Sequence, residues 1–148
     1  MSLLAHHERA FAELEQTVKR LDERQLTEIR DPAGWSAKDH LIHVALWEQA
    51  LLASVDGRPR HHALGIDAST DDSSDWDALN ALIFANTKDR KLADVLETLR
   101  RTHAETRARL AAAERDGGEP GQKLLADVPG YTEHYEQHRG WIEELVAR

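Results

Sequence analysis

The stretch GWSAKDHLIHVALWEQALL, residues 34–52, decides the fold, because it predicts a helix that is apolar on nearly every side. Ser36 followed by Asp39 is typical of a capped helix start, so we expect the helix to begin near Ala37. A helix on a protein surface carries a single apolar stripe, whereas this one needs neighbours around most of its circumference. We therefore predict a central helix inside a helical bundle.

Three further segments have the one-sided apolar spacing of helices that pack against a core. They span residues 2–22, 91–115 and 131–147. A shorter helix, residues 74–87, begins with a second Ser-x-x-Asp signal at Ser74 and Asp77, and a break at 87–90 separates it from the next helix. No segment alternates with the period of a β-strand. We predict four principal helices around one core, with the third helix split in two.

Two connections are predicted to be irregular. Residues 56–73 contain two glycines and a proline, and this segment is long enough to cross over the fold or to cover a site. Residues 117–130 open with two glycines and contain two prolines, so we expect a loop there rather than continuous helix. His61 and His62 fall in the first connection, and we interpret them as ordinary loop residues because tandem neighbours do not normally chelate one ion.

The length of 148 residues predicts a single domain, residues 1–148. With 19 basic and 27 acidic residues, the net charge is −8 and no basic cluster stands free of acids. This charge pattern argues against nucleic acid and against anionic membranes as partners. No apolar run approaches the roughly 20 residues that span a bilayer, and no secretory leader is recognisable, so we expect a cytoplasmic protein.

The chain contains no cysteine. Disulfides, thiolate nucleophiles and cysteine-based metal sites are therefore excluded together. Any metal ion would have to be bound by histidine and carboxylate side chains.

The last helix carries His134 and His138 four residues apart, so both imidazoles lie on one face and can reach one ion. With nine histidines in the chain, such a pair is weak evidence by itself. Its position on an apolar stripe strengthens it, since buried polar rings need a shared partner. The third ligand that we favour is His43 on the central helix. His40 and His103 are alternatives.

Other polar residues near these histidines have weaker claims to a role. Tyr131 lies one turn before His134 and is a tentative catalytic residue, as a hydrogen-bond donor to a developing anion; the competing interpretation is a packing tyrosine. By helical angle three carboxylates do not point with the histidines, and we expect them to be solvated or to support the ligands: Glu48, Glu133 and Glu136. His6 and His7 are interpreted as solvated surface residues, and Trp47 as a core residue.

Three runs of sequence resemble one known family. GWSAKDHLIHVALWE, residues 34–48, is similar to the second-helix signature of the DinB-like superfamily. WDALNALIFANTKDRKLADVLETLRRTH, residues 76–103, and YTEHYEQHRGWI, residues 131–142, resemble its ClbS/DfsB branch more closely. Together the runs cover most of the chain in the right order. The resemblance implies an all-α, antiparallel four-helix bundle with a long crossover connection.

The resemblance also implies where the superfamily's three-histidine metal site falls. His43, eight residues after Trp35, matches that pattern together with His134 and His138, whereas His40 and His103 do not. Members of the superfamily range from thiol-dependent transferases and isomerases to hydrolases, and one member of the branch opens a reactive cyclopropane.

We therefore expect a metal-dependent hydrolase or transferase whose substrate is a small electrophilic molecule. The divalent ion is zinc by default, with nickel, iron or manganese as alternatives. The alternative function is a non-catalytic, ligand-binding or stress-related bundle without metal. The apolar faces of the predicted helices are also compatible with a homodimer.

Overall fold

The computed structural model describes residues 2–73 and 75–147, apart from the side chain of Ser73. Within these residues the secondary structure is helical, with one isolated bridge between Arg30 and Ser36. The helices are α1 (Leu3–Lys19), α2 (Glu23–Thr27), α3 (Ala37–Val55), α4 (Arg60–Leu64), α5 (Ala68–Ser73), α6 (Trp76–Thr87), α7 (Leu92–Asp116) and α8 (Glu119–Val146). The predicted all-α fold is confirmed.

Helix α3 is the centre of the bundle. It begins at Ala37, where Ser36 and Asp39 form the reciprocal capping box that the sequence predicted. All of its residues except Gln49 and Ser54 are buried. The helix packs against α7 and α8 along its length and against α4 and α6 on its remaining side. Its nearly uniform apolar surface is therefore explained by neighbours on most sides.

Contacts between the long helices fix their directions. Helix α1 runs parallel to α8, because His7 bonds Thr132 and the later residue Thr17 bonds Glu143. By the same comparison α3 is antiparallel to α8 and parallel to α7, and α1 is antiparallel to α7. Helices α3 and α7 are successive long helices that run in the same direction, so the chain must return along the bundle between them. The segment containing α4, α5 and α6 provides this crossover.

The crossover is more regular than its composition suggested. The segment 56–73, predicted to be irregular, contains the short helices α4 and α5, and His61 and His62 lie on α4. The predicted start signal at Ser74 lies outside the described residues. Asp75 is the N-cap of α6, and its side chain accepts a hydrogen bond from the backbone of Ala78. The predicted break after α6 is present, since residues 88–91 separate it from α7.

The prediction of a loop at 117–130 was wrong. Helix α8 begins at Glu119 and continues through Pro129 to Val146. Pro120 lies in the first turn, where a missing N–H costs little, whereas Pro129 removes one interior hydrogen bond. Leu124 and Val128 are fully buried in a cluster with residues of α3 and α7. Their burial offsets the cost of the proline, which composition alone could not reveal.

The start of α8 lies close against the end of α7 at Gly121. A Cβ atom at this position would lie 3.1 Å from the Cβ of Ala113, which is tighter than ordinary contact. Glycine therefore permits the close approach of the two helices. None of the described helices is long and apolar enough to cross a bilayer.

We expect Gly121→Val to destabilise the protein by about 1–3 kcal/mol, because the added methyl groups push against Ala113. Gly140→Val is the matched control on the same helix, since a Cβ there meets no atom within 4 Å. The control should be as stable as the wild type or slightly more stable, given the low helix propensity of glycine. Urea unfolding measures both changes. Equal stability of the two variants would contradict the packing argument.

Candidate metal centre

Three histidines from two helices meet at one point. His43 lies on α3, and His134 and His138 lie on α8, with one nitrogen of each within 4.8 Å of the others. His43 and His138 are buried and His134 is half-buried. The Nε2 atoms of His134 and His138 are 3.0 Å apart, and the ring centroids of His43 and His138 are 4.8 Å apart. The structure thus brings together the three residues that the sequence selected; their role as ligands stays a prediction.

One nitrogen in this cluster lacks a partner. The Nδ1 atom of His43 is buried and forms no hydrogen bond with any described residue. A buried polar atom without a partner costs about 1–3 kcal/mol, so such atoms are rare unless a ligand or a water satisfies them. An orphaned nitrogen beside two converging imidazoles fits a cation-binding site.

Burial keeps all three imidazoles neutral. It lowers the pKa of His43 to about 3, with help from the nearby His134 and His40, and it lowers the pKa of His134 to about 4. The pKa of His138 is lowered in the same direction, first by burial and then by the neighbouring histidines. Since metal ions bind the neutral form of imidazole, these side chains are available as ligands at neutral pH.

A chain of hydrogen bonds orients His138. Asp31 Oδ2 lies 3.3 Å from His40 Nε2, and His40 Nδ1 lies 2.9 Å from His138 Nδ1. A carboxylate only accepts, so a neutral His40 donates through Nε2 and accepts through Nδ1. His138 then carries its proton on Nδ1, which leaves a lone pair on the Nε2 atom that faces His134.

His40, which the sequence offered as an alternative ligand, therefore lies behind a candidate ligand. This is the usual arrangement around metal-binding histidines, in which an outer acceptor fixes the ring. Asp31 is in turn held by the backbone N–H of Trp35, at 2.9 Å. Asp31 was not among the residues predicted to belong to the site. It stands in the Asp-Pro break before α3, and no spacing rule connects it with His40.

The three histidines line a pocket of about 700 Å³. Trp35 and Phe84 stack with ring centroids 5.6 Å apart, and Trp141 lies edge-on to His138 at 4.7 Å. Trp141 is 46% exposed, which shows that the apolar stripe of α8 extends beyond the core and into the pocket wall. Three carboxylates also line the pocket: Asp31, Asp77 and Glu144.

Tyr131 borders a second, smaller pocket of about 280 Å³ that also reaches His43 and His134. Its side chain is half-buried, and burial, followed by the charge of Asp127, raises the pKa of its phenol. The hydroxyl therefore keeps its proton at neutral pH and can donate a hydrogen bond. Trp47, expected in the core, is buried and donates its indole N–H to Asn80.

Several polar residues are placed differently from the sequence interpretation. His103, the other alternative ligand, does not join the three histidines; its Nδ1 lies 3.2 Å from the hydroxyl of Tyr135. His7, interpreted as solvated, is fully buried, and Glu48, expected to be solvated or to support the ligands, is 1% exposed. His7 lies on the same face of α1 as Leu14, which follows it by seven residues. Because the ring of His7 is polar and its neighbour in sequence is exposed, the sequence pattern did not indicate that His7 is buried.

The DinB superfamily is the family whose sequence model matches the chain, over residues 6–145. The match covers nearly the whole chain and includes His43, His134 and His138. Comparison with curated proteins and with solved structures gave no significant match. Sequence similarity therefore extends to the superfamily, and no more specific function follows from it.

We expect the metal-free protein to lose stability in mild acid. The pKa values of His43 and His134 in the folded state lie below the ordinary 6.5, so the unfolded chain binds protons that the folded chain does not. Below pH 6.5 the free energy of unfolding should fall by about 1.4 kcal/mol per pH unit for each such histidine. Above pH 6.5 these groups contribute no pH dependence.

Urea unfolding between pH 7.5 and pH 5, with chelator present, measures this slope. His134→Asn should make the slope shallower, because one proton-binding group is lost. The control His62→Asn, at an exposed position, should leave the slope unchanged. If His134→Asn and the wild type have the same slope, the burial argument fails.

Proposed function

Because the chain belongs to the DinB superfamily and holds three neutral imidazoles in the wall of a pocket, we propose that it is a metal-dependent hydrolase or transferase. Its substrate would be a small electrophilic molecule. The observation that supports this most is the chain from Asp31 through His40 to His138, which turns a lone pair towards His134. The ion would be divalent, with zinc as the default and nickel, iron or manganese as alternatives.

His43, His134 and His138 would hold the ion from two helices. An ion bound there supplies Lewis acidity and lowers the pKa of a coordinated water towards 7. The role of the protein is to keep these rings neutral and oriented. Burial does the first, and Asp31 with His40 does the second.

The pocket walls would position the substrate. Trp35, Phe84 and Trp141 offer flat apolar surfaces beside the histidines and would exclude water from the reacting group. On the other side, Tyr131 would donate a hydrogen bond to the negative charge that develops when a nucleophile opens the electrophile. Its raised pKa keeps the phenol in the donating form.

We further place the chain in the ClbS/DfsB branch of the superfamily. This finer assignment rests on residues 76–103 and 131–142, which resemble that branch. Helix α6, the break after it and the first part of α7 lie in the first run, and the histidine pair lies in the second. The assignment supports a reactive small molecule as the substrate, by analogy with a branch member that opens a cyclopropane.

His134→Ala should lower the zinc content of the untagged protein by about one equivalent relative to the wild type, because a three-ligand site loses one ligand. His62→Ala, on the exposed part of α4, is the control and should bind as much zinc as the wild type. Metal analysis after zinc loading and desalting gives the result. Equal zinc content in His134→Ala and the wild type would rule out the site.

Activity is tested with the zinc-loaded protein, an activated ester and an epoxide, each with and without a small thiol. The wild type should convert at least one electrophile faster than His134→Ala does. A requirement for the thiol would identify a transferase, and its absence a hydrolase. If the two proteins convert every electrophile at the same rate in both conditions, the proposed function is wrong.

His40→Phe should weaken zinc binding by about 10- to 100-fold without changing the number of ions bound at saturation. Removing His40 leaves the Nδ1–H of His138 without its acceptor, so the ring loses its fixed orientation. His40→Gln retains an acceptor and should recover part of the affinity. Calorimetric titration measures each constant, and an unchanged affinity in His40→Phe would exclude a positioning role.

A further inference from the structure

A second group of polar side chains is buried between the four long helices. His7 comes from α1, Glu48 from α3, His103 from α7 and Tyr135 from α8. Their exposed fractions are 0%, 1%, 7% and 0%, respectively. We call these residues the interior cluster. None of them belongs to the histidine site described above.

The carboxylate of Glu48 needs a compensating positive charge. A carboxylate at 1% exposure is costly unless it is paired with a cation and hydrogen-bonded. The hydroxyl of Tyr135 donates to Glu48 Oε2, and His7 Nε2 lies 2.7 Å from Glu48 Oε1. Among the described residues, Glu48 forms no ion pair with a lysine or arginine. The positive charge must therefore lie at or near His7.

The hydrogen bonds of His7 limit what can lie between its ring and the carboxylate of Glu48. The hydroxyl of Thr132 donates to the Val128 carbonyl, so it can only accept from His7 Nδ1, 2.8 Å away. With its proton on Nδ1, a neutral His7 would direct the lone pair of Nε2 at a carboxylate oxygen. Such a contact at 2.7 Å is repulsive unless a proton or a metal ion lies between the two atoms.

His103 offers a further lone pair. The Tyr135 hydroxyl gives its proton to Glu48, so its oxygen accepts from the Nδ1–H of His103 at 3.2 Å. The Nε2 atom of His103 is then unprotonated. Burial lowers the pKa of this ring to about 4, which keeps it neutral.

We propose that the interior cluster is a second divalent-metal site with His7, Glu48 and His103 as ligands. One ligand atom from each residue lies within 4.8 Å of the other two. Two imidazoles and one carboxylate are a ligand set that zinc and ferrous iron both accept. Thr132 and Tyr135 are the outer groups that hold a ligating ring and a ligating carboxylate in place.

The burial of the cluster assigns this ion a structural role. Its ligands are enclosed between α1, α3 and α7, and their low exposure leaves no room for a substrate. Three ligands leave a fourth position on the ion, but a catalytic site needs that position to be open to a substrate, and the burial of this cluster closes it. The ion would tie α1 to the rest of the bundle.

The test uses His134→Ala/His138→Ala, a protein without the first candidate site, and titrates it with cobalt(II) and zinc. It should bind about one equivalent of either ion, with visible cobalt bands, and zinc should raise its thermal midpoint. The wild type should bind about one equivalent more. If the double variant binds no cobalt, the proposal is wrong. A wild type that binds only one ion would count against the first site and not against the interior cluster.

Glu48→Gln and His6→Ala, each added to the double variant, complete the test. Glu48→Gln keeps the size of the side chain and should abolish both the cobalt bands and the thermal shift. The control His6→Ala alters the exposed neighbour of His7 and should retain both. Cobalt binding that survives Glu48→Gln would overturn the proposal, because the ion would then be bound without the carboxylate of Glu48. Failure of the first site leaves this result unaffected, because the double variant lacks that site.

Discussion

The structure depends on the burial of α3 on nearly all sides. Polar groups on a surface helix can turn to water, but the polar groups of α3 must find partners inside the bundle. His40, His43 and Glu48 are all at most 5% exposed. Each of them interacts with α8, and Glu48 also reaches α1. The polar chemistry of this protein is therefore concentrated along one helix.

The two polar clusters follow one physical pattern. In each cluster, a group that can only accept a hydrogen bond determines which nitrogen of an imidazole carries the proton. Asp31 does this for His138 by way of His40, and Thr132 does it for His7. The opposite nitrogen faces His134 in the first cluster and the carboxylate of Glu48 in the second. Such outer contacts are what make a set of histidines a defined site rather than a group of rotating rings.

Electrostatics around the pocket favours a cation. The histidines are neutral there, and the pocket is also lined by Asp31, Asp77 and Glu144 but, among the described residues, by no lysine or arginine. Converging carboxylates in a cleft raise the local concentration of positive ions. The acidic balance of the whole chain, −8, acts in the same direction.

The sequence alone determined the helical class, the start of α3 and the pairing of His134 with His138, because all three follow from local periodicity and capping. Only the tertiary structure decided that α8 continues through Pro129, that Asp31 reaches His40, and that His7 and Glu48 are buried together. Helical spacing fixes which residues share a face of one helix. Which faces meet depends on the packing of four helices at once, and no local pattern contains that information.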